Sequence, residues 1–405
     1  MASNDSKERA YRKLESSSLL QQTMFRYMLE AQAASEEGKL AWVTSGFPVE
    51  IPLAMGLGVS YPEQYTAVVG SQKVGPEVCG FAEDLGYSQE LCSYARAGIG
   101  STDRPDDSPL GGLPEPQVLL ACNNICGTVL RWYEAVSELT GAPVFLLDTP
   151  PVQRRQPSHH KEYVRAGLEE LIDFLGEEFD TSLEEEKLQE VASNSTKAID
   201  LWTKSLEACK HKPSPLNCAD RFLAMAPVVS MRGKKHILEY YESLLDEVEG
   251  RVQQGIGAIR NERVRLLWDN IPPWFSIYKF FNGLAKRGVV FPADTYTHAW
   301  TGSLEGEGIL NRMVDIYSNV YLNRGLRAKV DKMTGLIEEY DLDGFVMFSV
   351  RSCKRYSLGQ LVSKDLVTER TGVPGVVIEG DMVDSRLFNE AQIQTRIDAL
   401  IEMIE

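Results

Sequence analysis

Cys122-Asn123-Asn124-Ile125-Cys126 places two thiols and two carboxamides on five consecutive residues. The apolar run Val118-Leu119-Leu120-Ala121 leads into it, and Val129, Trp132, Tyr133 and Val136 follow at spacings that share one face of a helix. The sulfur and amide groups therefore sit where a strand hands over to a helix. In an open α/β sheet that junction is where ligands bind, and the partial positive charge of a helix start favours thiolate over thiol. Metal ligation is the chemistry that suits such a cysteine. The alternative is a pair of small buried residues in a tight turn, since unreactive buried cysteine is common.

Two further cysteines occupy similar places. Cys353 follows the apolar strand Gly344 to Val350, and Cys92 lies near the start of a helix for which Ser88 is the expected N-cap. Three thiolates meeting in one cleft can hold a zinc ion or an iron–sulfur cluster. Spacing does not choose between a shared metal site and three separate core thiols. Cys79, Cys122, Cys209 and Cys218 are expected to be core or surface thiols.

The elements around these positions follow an α/β pattern. A helix is expected from about Ser6 to Gly38, with Leu14, Leu19, Leu20, Met24, Met28 and Ala31 on its apolar face. Strands are expected at residues 40–46, 118–121, 144–148, 263–268, 288–291, 344–350 and 376–379, with a short strand and its exit loop at 58–63 and helices between them. Residues 101–116 read as a long loop, and a helix is expected between Asn311 and Tyr340. From about His160 to Gly250, Glu and Leu recur at helical spacing with few β-branched clusters. The organisation expected is an N-terminal helical segment (1–39), a first α/β domain (40–160), a helical segment (161–260) and a second α/β domain (261–405).

Composition bounds the function. The chain has 405 residues, 43% hydrophobic and 25% charged, enough for two or three domains. Its formal net charge of −16 disfavours a nucleic-acid partner. No apolar stretch reaches the roughly 18 residues that span a bilayer, and the polar start Met1 to Arg9 lacks a signal-peptide core, so no membrane partner and a cytoplasmic location are expected. Seven cysteines, an odd number in such a chain, point to metal, redox or burial roles rather than a disulfide framework. The CxxC, HExxH and GxGxxG fingerprints are absent.

The stretch Cys122 to Cys126 followed by Arg131-Trp132-Tyr133-Glu134 resembles the 2-hydroxyacyl-CoA dehydratase family, which includes the ATP-dependent benzoyl-CoA reductases. So do Tyr61-Pro62-Glu63, Leu91 to Arg96, Tyr296 to Trp300, Arg351 to Gln360 and Glu379 to Arg386, in the same order along most of the chain. The resemblance implies two Rossmann-like parallel-sheet domains joined by a helical segment, with the active site in the cleft between them. It implies a [4Fe–4S] cluster on Cys92, Cys126 and Cys353, its fourth iron left open for water and then for the thioester carbonyl. It also implies a heterodimer with a homologous, shorter subunit and an iron–sulfur activator ATPase that delivers single electrons.

Such a cluster answers a chemical difficulty. The proton lost when water leaves a 2-hydroxyacyl-CoA lies β to the thioester and has no useful acidity. One electron on the carbonyl gives a ketyl radical anion that expels the C2 hydroxide, and the resulting enoxy radical has a far more acidic β proton. By motif, Glu63 is the expected acid/base group and Ser45 the group that holds the substrate oxygen; the bland alternatives are a solvated loop glutamate and a helix N-cap. His298 is read as a substrate or cluster hydrogen-bonding group or as a satisfied core histidine. Lys354 and Arg355 are read as partners for cluster charge or CoA phosphates, or as surface charge; Arg96 is read likewise. Trp274 and Trp300 are pocket walls or core, and His159 and His160 are placed in a polar loop. The competing functions are a benzoyl-CoA-type reductase subunit and a non-catalytic electron-relay partner.

Overall fold

The structure is a computed structural model that describes residues 10–300, 302–304 and 308–405. The first half runs α1 (Ser17–Glu36), β1 (Leu40–Val43), α2 (Glu50–Ala54), β2 (Gly58–Ser60), α3 (Pro62–Ser71), α4 (Gly75–Asp84), α5 (Ser93–Asp103), β3 (Val118–Cys122), α6 (Thr128–Thr140) and β4 (Val144–Leu147). Helices α7 (Ser158–Phe179), α8 (Glu185–Glu207), α9 (Cys218–Ala224), α10 (Ala226–Ser230) and α11 (Ile237–Gln253) follow without a strand. The second half runs β5 (Val264–Asp269), α12 (Ile277–Ala285), β6 (Val289–Asp294), α13 (Ile309–Ser318), α14 (Leu326–Glu339), β7 (Gly344–Val350), α15 (Lys354–Ser357), α16 (Gln360–Thr371), β8 (Gly375–Gly380) and α17 (Glu390–Ile404).

All pairings between these strands are parallel, and the two four-stranded sheets have one strand order. The first is β2-β1-β3-β4 and the second β6-β5-β7-β8. Read from the first strand of each half, both are 2-1-3-4. The connections reverse direction between the first and third strands, and that switch point opens a crevice at the carboxyl ends of the strands. Cys126 follows the third strand of the first sheet, and Cys353 follows the third strand of the second. The two halves therefore present a cysteine at equivalent topological positions.

Alternation along the strands assigns most of their residues to two main cores, a third small one taking Val290 of β6. Leu40 and Trp42 of β1 join one cluster, with Leu119, Trp132, Leu266 and Trp268; Ala41 and Val43 join the other, with Leu120, Trp202, Leu267 and Phe345. Each cluster contains residues of both sheets, so the halves are packed as one body. Coverage is incomplete at the edge strand β4, where Val144 and Leu146 face solvent.

Local structure departs from the sequence expectations in several places. Of the long first helix, residues 6–9 lie outside the described residues, and α1 begins at Ser17; its buried side is Thr23, Tyr27 and Ala31, with Met28 exposed. Ser88 is no N-cap: its hydroxyl accepts from the amide of Glu90 (3.2 Å) in a turn, and Cys92 itself occupies the N-cap of α5. The helix runs on through Asp103 into the expected loop. Gly98 permits this, since a Cβ there would collide with the Trp132 ring of α6. The region 311–340 is two helices, and His159 and His160 lie in the first turn of α7.

Candidate functional site

The three cysteines come together from three chain segments. Cys92 caps α5, Cys353 caps α15, and Cys126 immediately precedes Gly127, the residue at the N-cap of α6. Each sulfur accepts backbone amides of the turn that follows it: Ala95 for Cys92, Thr128 and Val129 for Cys126, Arg355 and Tyr356 for Cys353. Burial pushes all three thiols up, Cys353 to about 12. The neighbouring Cys353 and Cys126 push Cys92 further, which places the three within electrostatic reach of one another. In this environment the bare thiols hold their protons, and a metal must displace them to bind.

This donor set suits a cluster. Three thiols stand at helix starts whose amides point at sulfur, an arrangement that stabilises an anionic group. Among the described residues no three His, Cys, Asp or Glu side chains are grouped tightly enough to hold a single metal ion. A polynuclear cluster binds each thiolate to a different iron, so its ligands need not converge on one point.

Other contacts hold the cysteine turns in register. The Ser93 amide donates to Ser352 Oγ (3.3 Å), which donates to Asp381 Oδ2 (2.5 Å). Asp381 is buried and accepts the amides of Val383 and Asp384 at 2.9 and 3.1 Å. The residues adjoining Cys92 and Cys353 are thus tied through one carboxylate. Arg96 is fully buried and paired with Glu83 (2.6 Å) and Asp384 (3.0 Å), so it is a clamp between the halves rather than a surface charge. Asn124 donates to the carbonyls of Gly46 and Tyr317, both at 2.8 Å, and so joins the turns after β1 and β3 to the end of α13. Gly46 is required there, because a Cβ would strike the Asn124 side chain.

Glu63 lies beside this cluster of thiols. Pro62 and Glu63 form the first turn of α3, so Glu63 is not a solvated loop glutamate. The Ser45 amide donates to Glu63 Oε1 at 3.1 Å, and the Ser45 hydroxyl also bonds the carboxylate. Glu63 Oε2 is buried without a hydrogen-bond partner among the described residues. Burial pushes the carboxyl up to about 7, against the downward pull of the bonds from Ser45 and from its own amide. Its charge in turn pushes up the Cys126 thiol. The wall is aromatic: Trp274 Nε1 donates to Tyr94 OH (2.5 Å), and Tyr94 also bonds Tyr296, which feels the charges of both Glu63 and Cys353.

The family model described as 2-hydroxyglutaryl-CoA dehydratase, D-component, matches residues 44–404. The chain belongs to this dehydratase family. It is 35% identical over 383 residues to the (R)-2-hydroxyisocaproyl-CoA dehydratase alpha subunit of Clostridioides difficile, covering 92% of each chain. It is 31% identical over 382 residues to the (R)-phenyllactyl-CoA dehydratase alpha subunit of Clostridium sporogenes, covering 93% of this chain and 91% of the relative. One of the subunits of benzoyl-CoA reductase from Thauera aromatica is 28% identical over 374 residues, 88% of this chain and 86% of that one.

The dehydratase-family fold leaves other sequence candidates apart from the thiols. Cys122, at the end of β3, is buried with its sulfur 3.5 Å from Thr149 Oγ1, and burial pushes it up to about 12. Cys79 and Cys209 bond backbone carbonyls, and Cys218 is buried. His298 is a satisfied core histidine: Nε2 lies 3.0 Å from Tyr340 OH, and burial lowers its pKa to about 3. Trp300 lines a separate cavity with Arg232 and Tyr317. Sequence reasoning missed Ser352, Asp381, Asn124, Tyr94 and Tyr296 as parts of the site. All five stand inside the motif blocks that carry the family resemblance, and that proximity was their one signal. Among the described residues no helix is long and apolar enough to cross a membrane.

Proposed function

We propose that this chain is the cluster-bearing subunit of an ATP-activated, oxygen-sensitive (R)-2-hydroxyacyl-CoA dehydratase, which eliminates water to give an enoyl-CoA in the cytoplasm. The observation that carries this reading is the meeting of Cys92, Cys126 and Cys353 at three helix starts beside a carboxyl whose pKa is raised to about 7. These cysteines would hold three irons of a [4Fe–4S] cluster. When bound, the cluster supplies one electron and a Lewis-acid position toward the thioester carbonyl.

The remaining work falls to the chain's own groups. Glu63, its carboxyl raised to about 7, takes in its ionised form the proton from the carbon β to the thioester through Oε2. Ser45 holds the other carboxylate oxygen and keeps that base aimed; its hydroxyl would also steady a substrate oxygen. Tyr94, Tyr296 and Trp274 exclude water, which protects a reactive intermediate from quenching. The relatives named as alpha subunits support pairing with a second subunit, which would be a homologous, shorter chain. A separate iron–sulfur ATPase would deliver the electron.

The likeness to a benzoyl-CoA reductase favours a second reading, in which the same electrons reduce an aromatic ring. Anoxic assay of the complete complex with activator and ATP separates the two. Turnover of lactoyl-CoA or 2-hydroxyisocaproyl-CoA is expected, and turnover of benzoyl-CoA alone would transfer the protein to the reductases. Anoxically purified protein that contains no iron would defeat both.

A further inference from the structure

Burial leaves two carboxylate oxygens without a hydrogen-bond partner among the described residues, Glu63 Oε2 and Asp220 Oδ2. Other buried acids are matched. Glu50 accepts from Ser195 and Tyr317, Asp269 from Thr295 and Gln360, Asp294 from Arg221, and Asp384 from Arg96. Glu63 stands beside the thiol site. Asp220 needs a different account, because a buried acid left unpaired is costly to keep.

Asp220 lies on α9 and points away from the reaction site. Phe222, two positions on, meets the Trp274 and Tyr296 rings at 6.5 and 6.1 Å. Residues two apart on a helix point to nearly opposite sides, so Asp220 is turned from that wall. It lines instead a cavity of about 420 Å³ between α9, α11, α12 and the chain at the start of α1. Tyr240 of α11 lines the same space, its hydroxyl also buried without a partner, and the Asp220 charge pushes that phenol up.

The nearby cations are engaged elsewhere. Arg251 donates to Glu247 (2.8 Å) and to the carbonyls of Lys13 (2.9 Å) and Pro215 (3.1 Å). Arg221 donates to Asp294 (2.7 Å) and Lys279 to Glu390 (2.7 Å). Burial raises the Asp220 carboxyl to about 7, against the pull of Arg251, the Asn217 amide and Arg221. The floor of the cavity thus offers an acid and a phenol to a ligand that carries N–H donors.

The rim has the opposite sign. Lys13 lines it and enters no ion pair among the described residues. Asn282 gives its Oδ1 to the Ala10 amide (2.9 Å), which leaves its NH2 group to donate. Between floor and rim the wall is apolar, with Leu14, Leu20 and Leu223 and the stacked rings of Tyr11 and Tyr278. A cation below, an anion above and an apolar body between them describe a zwitterion.

We propose that this cavity binds a small apolar α-amino acid, its ammonium seated on Asp220 and Tyr240 and its carboxylate held by Lys13 and Asn282. The site is separate from the reaction site and stands whichever thioester the protein turns over.

Isothermal titration of the complete purified complex with L-leucine reads the site directly, beside isopentylamine, which lacks the carboxylate, and isocaproate, which lacks the amine. L-Leucine is expected to bind roughly tenfold or more tighter than either fragment. Asp220→Asn keeps the shape and removes the charge, and is expected to weaken L-leucine roughly tenfold or more. Tyr240→Phe loses one hydroxyl, is expected to weaken it several-fold, and decides the matter if Asp220→Asn does not fold. Lys13→Gln is expected to weaken L-leucine and leave isopentylamine unchanged, and Glu63→Gln to bind L-leucine as the wild type does. No binding of L-leucine, equal affinity for isopentylamine, or affinity unmoved by Asp220→Asn and Tyr240→Phe would overturn the assignment. Loss of binding in Glu63→Gln would overturn it as well, by placing the ligand at the reaction site.

Discussion

Glu63 owes its proton affinity to where its backbone places it. A glutamate at the start of a helix is ordinarily held ionised by the helix end, yet burial outweighs the amide bonds here and brings the carboxyl to about 7. As the proposed base it must be ionised, so kcat/KM is expected to rise with pH through about 7, read from a pH–rate profile. Glu63→Gln is expected to lower kcat by roughly 10²–10⁴-fold with iron content unchanged; an unaltered rate would remove Glu63 from the mechanism. The same shift affects stability. The folded value of about 7 lies above the ordinary 4.5, so between them the folded state binds the proton and the unfolded state does not. The stability tied to that proton is present below about 4.5 and lost as pH rises through about 7. Glu63→Gln apoprotein should therefore exceed wild type at pH 8 by roughly 2–4 kcal/mol in urea unfolding, the gap closing toward pH 4.

At the level of elements, what matters is how the three helix starts are held. Ser352 is a positioning residue, linking the Ser93 amide to Asp381 between two cysteine turns. Ser352→Ala leaves both partners buried and one bond short. Iron retention against a chelator is expected to fall roughly tenfold to a hundredfold, with Ser352→Thr restoring most of it. Arg96 acts more coarsely, as the buried counter-charge of Glu83 and Asp384. Arg96→Met leaves those carboxylates paired with the more exposed Arg386 alone and is expected to cost about 1–3 kcal/mol in urea unfolding. Arg96 and Asp384 lie some 290 residues apart in sequence, a separation over which local patterning carries no information. For the same reason Ser88 looked like an N-cap: its residue type suits the role, but packing of α5 on α6 decides where the helix begins.

At the scale of the whole molecule, two sheets of one strand order share their hydrophobic clusters, and the proposed cluster would bind ligands from both halves. Cys92 and Cys126 belong to the first half, and Cys353 to the second. Binding that favours the assembled state stabilises it by mass action. Removal of iron is therefore expected to lower the melting temperature, and hydrogen exchange should increase at the starts of α5, α6 and α15 together. Exchange confined to one half would argue against a shared cluster.

The sequence by itself determined the α/β class, the alternation of strands and helices in each half, the strand-to-helix turn at Cys126 and the family. These follow from hydrophobic periodicity and from short contiguous motifs, which are properties of neighbouring residues. It left Cys122 and Cys126 chemically equal until a resemblance separated them. Tertiary structure decided the difference: Cys122 is the last residue of β3 and is sealed in the core, whereas Cys126 lies four residues on, at a helix start facing the other half. It also decided that His298 turns to Tyr340, that Arg96 is buried between carboxylates, and that Glu63 loses its water. Each of these depends on which distant segments pack around a side chain, and burial sets both hydrogen-bond partners and proton affinity.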